Sequence, residues 1–144
     1  MVPIMLRRTW TCLLLTLAPA CGEPIDHLVV SLAADRAIAA PGDTVRLLAS
    51  VYNPTSSVLE IGYGCGPSLD FLVTDPQGST ISLLEGMVFI CPLLDYHVLE
   101  PGETDSIPWN WTAPAPRGSY GVRSAVRTSG GLSSPSSPVT VDIQ

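Results

Sequence analysis

Short apolar runs separated by turn residues, several of them with a period of two, follow one another along the chain and restrict the folds open to it. In one such run Leu69, Phe71 and Val73 share a face, and the same alternation recurs at 120–127 and 139–143. This period is typical of half-buried strands, whereas a helix would repeat its apolar residues every three to four positions. The chain is therefore predicted to be all-β.

Further segments have the composition of short strands, namely 27–33, 44–52, 57–63, 80–84, 87–90, 96–99 and 104–112. Turn signals separate them: Pro41-Gly42-Asp43, Asn53-Pro54, Asp75-Pro76-Gln77-Gly78, Pro101-Gly102 and Gly130-Gly131. Residues 33–37 could begin a helix, but Pro41-Gly42 follows too soon. Many short strands with no helix between them predict an antiparallel, immunoglobulin-like β-sandwich.

The N-terminal segment has the order of an export signal. Arg7-Arg8 is followed by an apolar run at 9–17, by the small residues Ala18-Pro19-Ala20, and then by Cys21. The apolar run is too short to span a bilayer, which takes about 20 residues of helix. The segment resembles a bacterial lipoprotein signal, in which the cysteine is acylated and becomes the mature N-terminus.

That resemblance implies a signal peptide at 1–20, a lipidated cysteine with a short tether at 21–26, and one domain at 27–144. It also implies an exported protein anchored to the cell envelope. Gly22, rather than Asp, follows the cysteine, which for such lipoproteins implies the outer membrane over the inner one in a cell with two membranes.

Two alternatives remain open at this end of the chain. Ala18-Pro19-Ala20 also fits the cleavage site of a plainly secreted protein, in which Cys21 would be left as an odd thiol. Met5 is an alternative start to Met1 and would give a more ordinary basic segment.

The charge of the chain argues against nucleic-acid binding. Removing residues 1–20 of the 144 leaves 124 residues, enough for one core, with five arginines, no lysine and thirteen acids, a net charge of −8. Neutralising phosphates or adhering to anionic lipid needs clustered cations, so the acyl chain is predicted to be the membrane attachment. Arg117, Arg123 and Arg127 are expected at solvated, outward positions of one strand.

Cysteine usage favours a disulfide. Cys12 lies in the signal peptide and Cys21 carries the predicted lipid, which leaves Cys65 and Cys91 as a pair in an oxidising compartment. A redox or metal pair is the alternative, but C-x-x-C spacing and neighbouring histidines are missing from the sequence. No cofactor and no metal are predicted.

Several segments together resemble the BsuPI-type intracellular proteinase inhibitor domain over most of residues 28–128. They are Asp70-Phe71-Leu72-Val73-Thr74-Asp75-Pro76-Gln77-Gly78, Val51-Tyr52-Asn53-Pro54, Leu99-Glu100-Pro101-Gly102-Glu103, Trp109 and Gly118-Ser119-Tyr120. The resemblance implies an immunoglobulin-like sandwich and, by the family's name, protease inhibition. The two cysteines and the export signal are additions to that family's pattern.

Two candidate binding features follow from the residues. The loop Gly64-Cys65-Gly66-Pro67-Ser68 could be stiffened by a disulfide and a proline and so enter a protease cleft at low entropic cost. Its alternative is a strand-connecting turn. Trp109 and Trp111 share one face of a strand and form either an exposed aromatic platform for glycans or part of the core.

An enzymatic function is not predicted. His97 lies two residues from Asp95, which on a strand only places both on one face, and His27 stands alone near the anchor. Glu100 and its acidic neighbours around Pro101-Gly102 lack the ligand spacing of a calcium loop. The sequence predicts an envelope-anchored, non-catalytic interaction module with an unknown envelope protein or protease as partner, the alternatives being a BsuPI-type inhibitor or a carbohydrate-binding sandwich.

Overall fold

A computed structural model describes residues 27–61, 66–90, 97–128 and 131–144. These residues form β1 (Val29–Ala34), β2 (Ile38–Ala39), β3 (Thr44–Tyr52), β4 (Leu59–Ile61), β5 (Leu69–Thr74), β6 (Thr80–Ser82), β7 (His97–Leu99), β8 (Thr104–Thr112), β9 (Gly118–Thr128), β10 (Gly131–Ser133) and β11 (Val139–Ile143). No α-helix occurs in the described ranges. The all-β prediction is confirmed.

The strands form three sheets. The first has the order β1-β3-β8, the second β2-β11-β9-β5-β6 with β10 also on β9, and the third consists of β4 and β7. Every pairing is antiparallel except that of β2 with β11, which is parallel. Neighbours in each sheet are mostly distant in sequence, so the fold depends on long-range pairing.

Binary alternation sets the register of the longest strands. Along β3 the buried residues are Val45, Leu47, Ala49 and Val51, while the residues between them face outward. β8 pairs with β3 over its whole length and turns its odd-numbered residues inward. A slip of one residue would expose this apolar set, so the register is strongly specified. The predicted bounds 44–52 and 104–112 are confirmed.

One hydrophobic cluster contains residues from all three sheets. Val51 of the first sheet, Phe71 and Val122 of the second, and Ile61 and Leu99 of the third are at most 1% exposed. Burying each such side chain stabilises the fold by about 1.5–3 kcal/mol before entropy is deducted. The described ranges therefore share one core.

The strands define two ends of the molecule, which we name by their relation to β1. At the proximal end β1 begins, and Val29 pairs with Tyr52, which pairs with Thr104. At the distal end β3 begins at Thr44 opposite Thr112, where β8 ends. From the first to the ninth residue of β3 there are eight steps of about 3.3 Å, so the ends are roughly 26 Å apart.

The structure differs from the predicted strands in three places. Residues 87–90 are not a strand, because the chain turns twice after β6, with Glu85 N donating to Ser82 O and Met87 N to Leu84 O. β2 and β10 were not predicted, since each has only two or three residues and is held by a distant partner.

The tail between β10 and β11 is an ordered loop. Ser136 is buried and is bound to β9 by two hydrogen bonds: its backbone N donates to Ser124 O at 2.7 Å, and its Oγ accepts from Ser124 N at 3.0 Å. It thereby satisfies the β9 backbone between the stretches paired with β10 and β11.

Among the described residues, no helix has the length and hydropathy that crossing a bilayer requires.

Candidate functional site

A cleft of about 240 Å³ lies at the distal end. It is formed by the ends of β5 and β6 and by the connection from β8 to β9. Its lining residues are Val73, Asp75, Ser79, Ile81, Trp111, Pro114, Pro116 and Tyr120. We call it the distal cleft.

Aromatic packing builds the floor of the distal cleft. Trp111 of β8 and Tyr120 of β9 meet edge to face, with ring centroids 5.9 Å apart. The hydroxyl of Tyr120 donates to the carbonyl oxygen of Pro116 at 2.8 Å, which ties the β8–β9 connection to the strand that follows it. The floor is therefore held by ring packing and by a hydrogen bond, and the tyrosine proton is already donated within the protein.

The rim of the cleft is shaped by the β5–β6 turn. Asp75 Oδ1 accepts from the backbone N–H groups of Gln77 at 2.9 Å and Ser79 at 2.8 Å, so its carboxylate is occupied in holding the turn. Ile81 is 54% exposed and presents an apolar surface at the rim. With proline, tryptophan, tyrosine and isoleucine around it, the cleft suits one apolar or proline side chain rather than a charged ligand.

The two tryptophans do not form an exposed aromatic platform, which was one of the two alternatives for them. Trp109 and Trp111 share a face of β8, as predicted, but Trp111 is only 6% exposed and Trp109 is half-buried. The ring centroid of Trp109 lies 5.7 Å from that of Phe71. The inward face of β8 packs on the core, so the alternative in which the tryptophans fill the core is the one that their burial supports.

The predicted binding loop is described from Gly66 to Ser68, while Gly64 lies outside the described residues. Ser68 is 2% exposed, and its carbonyl oxygen accepts from Arg127 N at 2.9 Å. A Cβ on Gly66 would lie 2.9 Å from both the Phe89 ring and the Arg127 guanidinium. Pro67 is half-buried. These contacts of residues 66–68 favour the alternative of a strand-connecting turn over that of an exposed inhibitory loop.

A second unusual surface lies in a segment that was predicted to be a strand. Met87, Val88 and Ile90 are 46%, 87% and 94% exposed, whereas Phe89 between them is half-buried under the Arg127 guanidinium, 5.9 Å from the ring centroid. We call residues 87–90 the apolar tip. Four consecutive apolar residues are visible in the sequence, but their exposure is not, because a short unbroken apolar run equally fits a buried strand.

The remaining predicted sites divide by whether they are described. Cys21, Cys65 and Cys91 lie outside the described residues, as does Asp95. His97 is exposed on β7, and His27 is exposed before β1. Within the described ranges, no three His, Cys, Asp or Glu side chains are grouped as a metal site would require.

The three arginines take different positions. Arg123 faces outward from β9, as predicted, and Arg117 precedes that strand. Arg127 is half-buried against Phe89 instead of being free in solvent. An arginine stem can cover apolar surface while its charge stays near water, which explains the difference.

No family model matches the chain, and no curated protein matches it. Among solved structures, it is similar to the sporulation control protein Spo0M from Bacillus subtilis, with a TM-score of 0.55 and 14% identity over 82% of this chain and 49% of that one. It is also similar to the alkylpurine DNA glycosylase AlkC from Pseudomonas fluorescens, with a TM-score of 0.54 and 11% identity over 82% of this chain and 30% of that one. A third match is the β-glucosidase EmGH1 from Erythrobacter marinus, with a TM-score of 0.52 and 13% identity over 81% of this chain and 15% of that one.

These similarities concern the fold alone. The chain spans about half or less of each matched protein, and the three proteins differ in kind. None of them is a BsuPI-type inhibitor. The resemblance to that family therefore stays a prediction, and the same fold is found in proteins of unrelated activity.

Proposed function

We propose that this chain is a lipid-anchored, non-catalytic interaction module of the cell envelope, which receives an apolar side chain of a partner protein in the distal cleft. The cleft is the observation that carries the proposal. It combines a packed aromatic floor with an exposed apolar rim, and buried aromatic anchors in pockets contribute most of the energy at protein interfaces.

The body is proposed to be an immunoglobulin-like sandwich. The order β1-β3-β8 corresponds to strands A, B and E of that fold, and β5-β9-β11 corresponds to C, F and G. The bond from Tyr120 to Pro116, four residues upstream at the start of β9, has the form of the tyrosine corner found in such domains. The core shared by the sheets supports the same assignment.

Anchoring through Cys21 would leave the distal end of the body accessible to a partner. Gly22 to Asp26 would extend at most about 17 Å, so the proximal end would lie near the bilayer. The distal cleft would then face away from the membrane, where an envelope protein could reach it.

The test is capture of partners from envelope extracts of the native host. The full chain with Ile81→Glu should lose the captured protein, because a carboxylate at the rim would have to be desolvated against an apolar side chain. Leu48→Glu is the matched control, since Leu48 is 46% exposed on β3 and does not line the cleft. Equal capture by both variants would remove the cleft from the proposal.

The anchor is tested separately by mass spectrometry of the mature N-terminus from native membranes. A diacylglyceryl group on Cys21 is expected. An unmodified N-terminus in protein recovered from the host would contradict anchoring and leave the cleft as a property of a secreted protein.

A further inference from the structure

The apolar tip leaves large hydrophobic side chains exposed to solvent. Val88 and Ile90 are 87% and 94% exposed, the two highest values among the large exposed apolar residues described. Phe89, which lies between them, is held by the protein through Gly66 and Arg127. Because Phe89 packs against the body of the protein, Val88 and Ile90 on either side of it are directed outward.

The tip lies at the proximal end. Phe89 contacts Gly66, and Ser68, two residues further, has its Oγ 3.5 Å from Asp105 Oδ2. Asp105 follows Thr104 at the proximal end. Thr104 pairs with Tyr52, and Tyr52 pairs with Val29, the first residue of β1. The tip and the start of β1 are therefore on the same end of the body, although they belong to different sheets.

The chain outside the described residues makes lipid the best occupant for this surface. Cys21 is six positions before His27, so an acyl chain on it would hold the proximal end within a short distance of the bilayer. A short tether leaves little room for a protein partner between the tip and the membrane. The net charge of −8 beyond residue 20 makes electrostatic adhesion a poor alternative.

We propose that Val88 and Ile90 insert into the interfacial region of the lipid bilayer, as a second membrane contact beside the N-terminal lipid. This inference rests on the proposed anchoring. Two contacts at separate points of one end would fix the orientation of the body on the membrane, whereas attachment at a single point would let it rotate. Insertion driven by apolar burial should be insensitive to salt.

The experiment uses the full chain, processed and lipidated in a bacterial host and reconstituted in vesicles of phosphatidylethanolamine and phosphatidylglycerol containing a brominated lipid. Val88→Trp places a reporter in the tip, and Ile38→Trp is the matched control at the distal end, where the residue is 58% exposed and does not line the cleft. The signal of the native tryptophans is subtracted with the wild-type protein. Bromolipid should quench the reporter of Val88→Trp at least about twofold more than the reporter of Ile38→Trp, with a blue-shifted emission in the tip variant only.

Flotation of the same samples separates the two proposals. Protein that floats with the vesicles but shows equal quenching at the two positions overturns insertion and leaves the anchor intact. Protein that does not float overturns both. Equal quenching accompanied by loss of a captured envelope protein in Val88→Asp would assign the tip to a protein partner and likewise overturn lipid insertion.

Discussion

At the scale of single residues, the buried amide side chain of Asn53 makes several hydrogen bonds on which the fold depends. Asn53 is 0% exposed and lies where β3 ends. Its Nδ2 donates to the carbonyl oxygens of Ser57 at 2.8 Å and Leu99 at 2.9 Å, and its Oδ1 accepts from Thr55 N at 3.0 Å and Thr55 Oγ1 at 2.7 Å. One side chain thus satisfies several groups that burial would otherwise leave unpaired.

We expect Asn53→Ala to lower the free energy of unfolding by about 2–3 kcal/mol, because it leaves the buried Leu99 carbonyl without this donor. Denaturant unfolding measures the change. Asn110→Ala, at an exposed position of β8, is the matched control and should lie within about 0.5 kcal/mol of wild type. A similar small loss in both variants would show that the Asn53 network does not stabilise the fold.

A second residue-scale effect concerns pH. The N–H of Arg46 donates to Asp35 Oδ1 at 2.9 Å, and the Arg36 guanidinium lies 3.3 Å from the same carboxylate. These contacts, the backbone bond first, hold the pKa of Asp35 below its ordinary value of 3.8. The carboxylate is thus favoured more in the folded than in the unfolded chain.

The sign of the pH effect follows from that direction. The stabilisation by Asp35 is present above the unfolded pKa and is lost as pH falls below 3.8 through the folded pKa. The stability difference between wild type and Asp35→Asn should therefore shrink in acid, as measured by unfolding at a series of pH values. A difference that is constant across this range would contradict the assignment.

At the scale of elements, the β8–β9 connection is held at both of its ends. Tyr120 packs on Trp111 through its ring and on Pro116 through its hydroxyl. Gly118 begins β9 with φ of 144°, and a Cβ there would lie 2.5 Å from Pro76 Cγ. The connection therefore packs against the β5–β6 turn only because residue 118 has no side chain.

Tyr120→Phe isolates the hydrogen bond from the packing. We expect a loss of about 1–1.5 kcal/mol in the free energy of unfolding, because the ring remains and the Pro116 carbonyl loses one donor. Thermal and denaturant unfolding measure it, and Tyr52→Phe, on an exposed strand end, is the control. If Tyr120→Phe were as stable as wild type, the hydroxyl would have no structural role.

At the scale of the whole molecule, the predicted disulfide would join two regions that the described residues already bring together. Gly66 follows Cys65, and Phe89, which lies two residues before Cys91, contacts Gly66. Closing a segment of this length removes unfolded-state entropy worth about 3.5 kcal/mol on the loop-closure model.

Mass spectrometry of the native protein under non-reducing conditions should find peptides joined through Cys65 and Cys91. Reduction, or the double variant Cys65→Ser with Cys91→Ser, should lower stability by up to about 3.5 kcal/mol. Two free thiols in protein from the native host would refute the disulfide. Equal stability with and without reductant would show that the bond, if formed, stabilises little.

The sequence by itself determined the elements whose pattern is local. The alternation of Val45, Leu47, Ala49 and Val51 predicted β3 to the residue, because the side chains on one face of a strand must all be buried together. Pro and Gly marked the turns for the same local reason, since they restrict or free the backbone where they stand.

Only the tertiary structure decided which strands pair and which apolar residues stay exposed. The parallel pairing of β2 with β11 joins residues about a hundred positions apart, and no local pattern encodes it. Trp111 and Val88 are both apolar residues in segments predicted to be strands, yet one is buried and the other is exposed. Burial depends on what packs against a side chain, and that is settled only when distant segments meet.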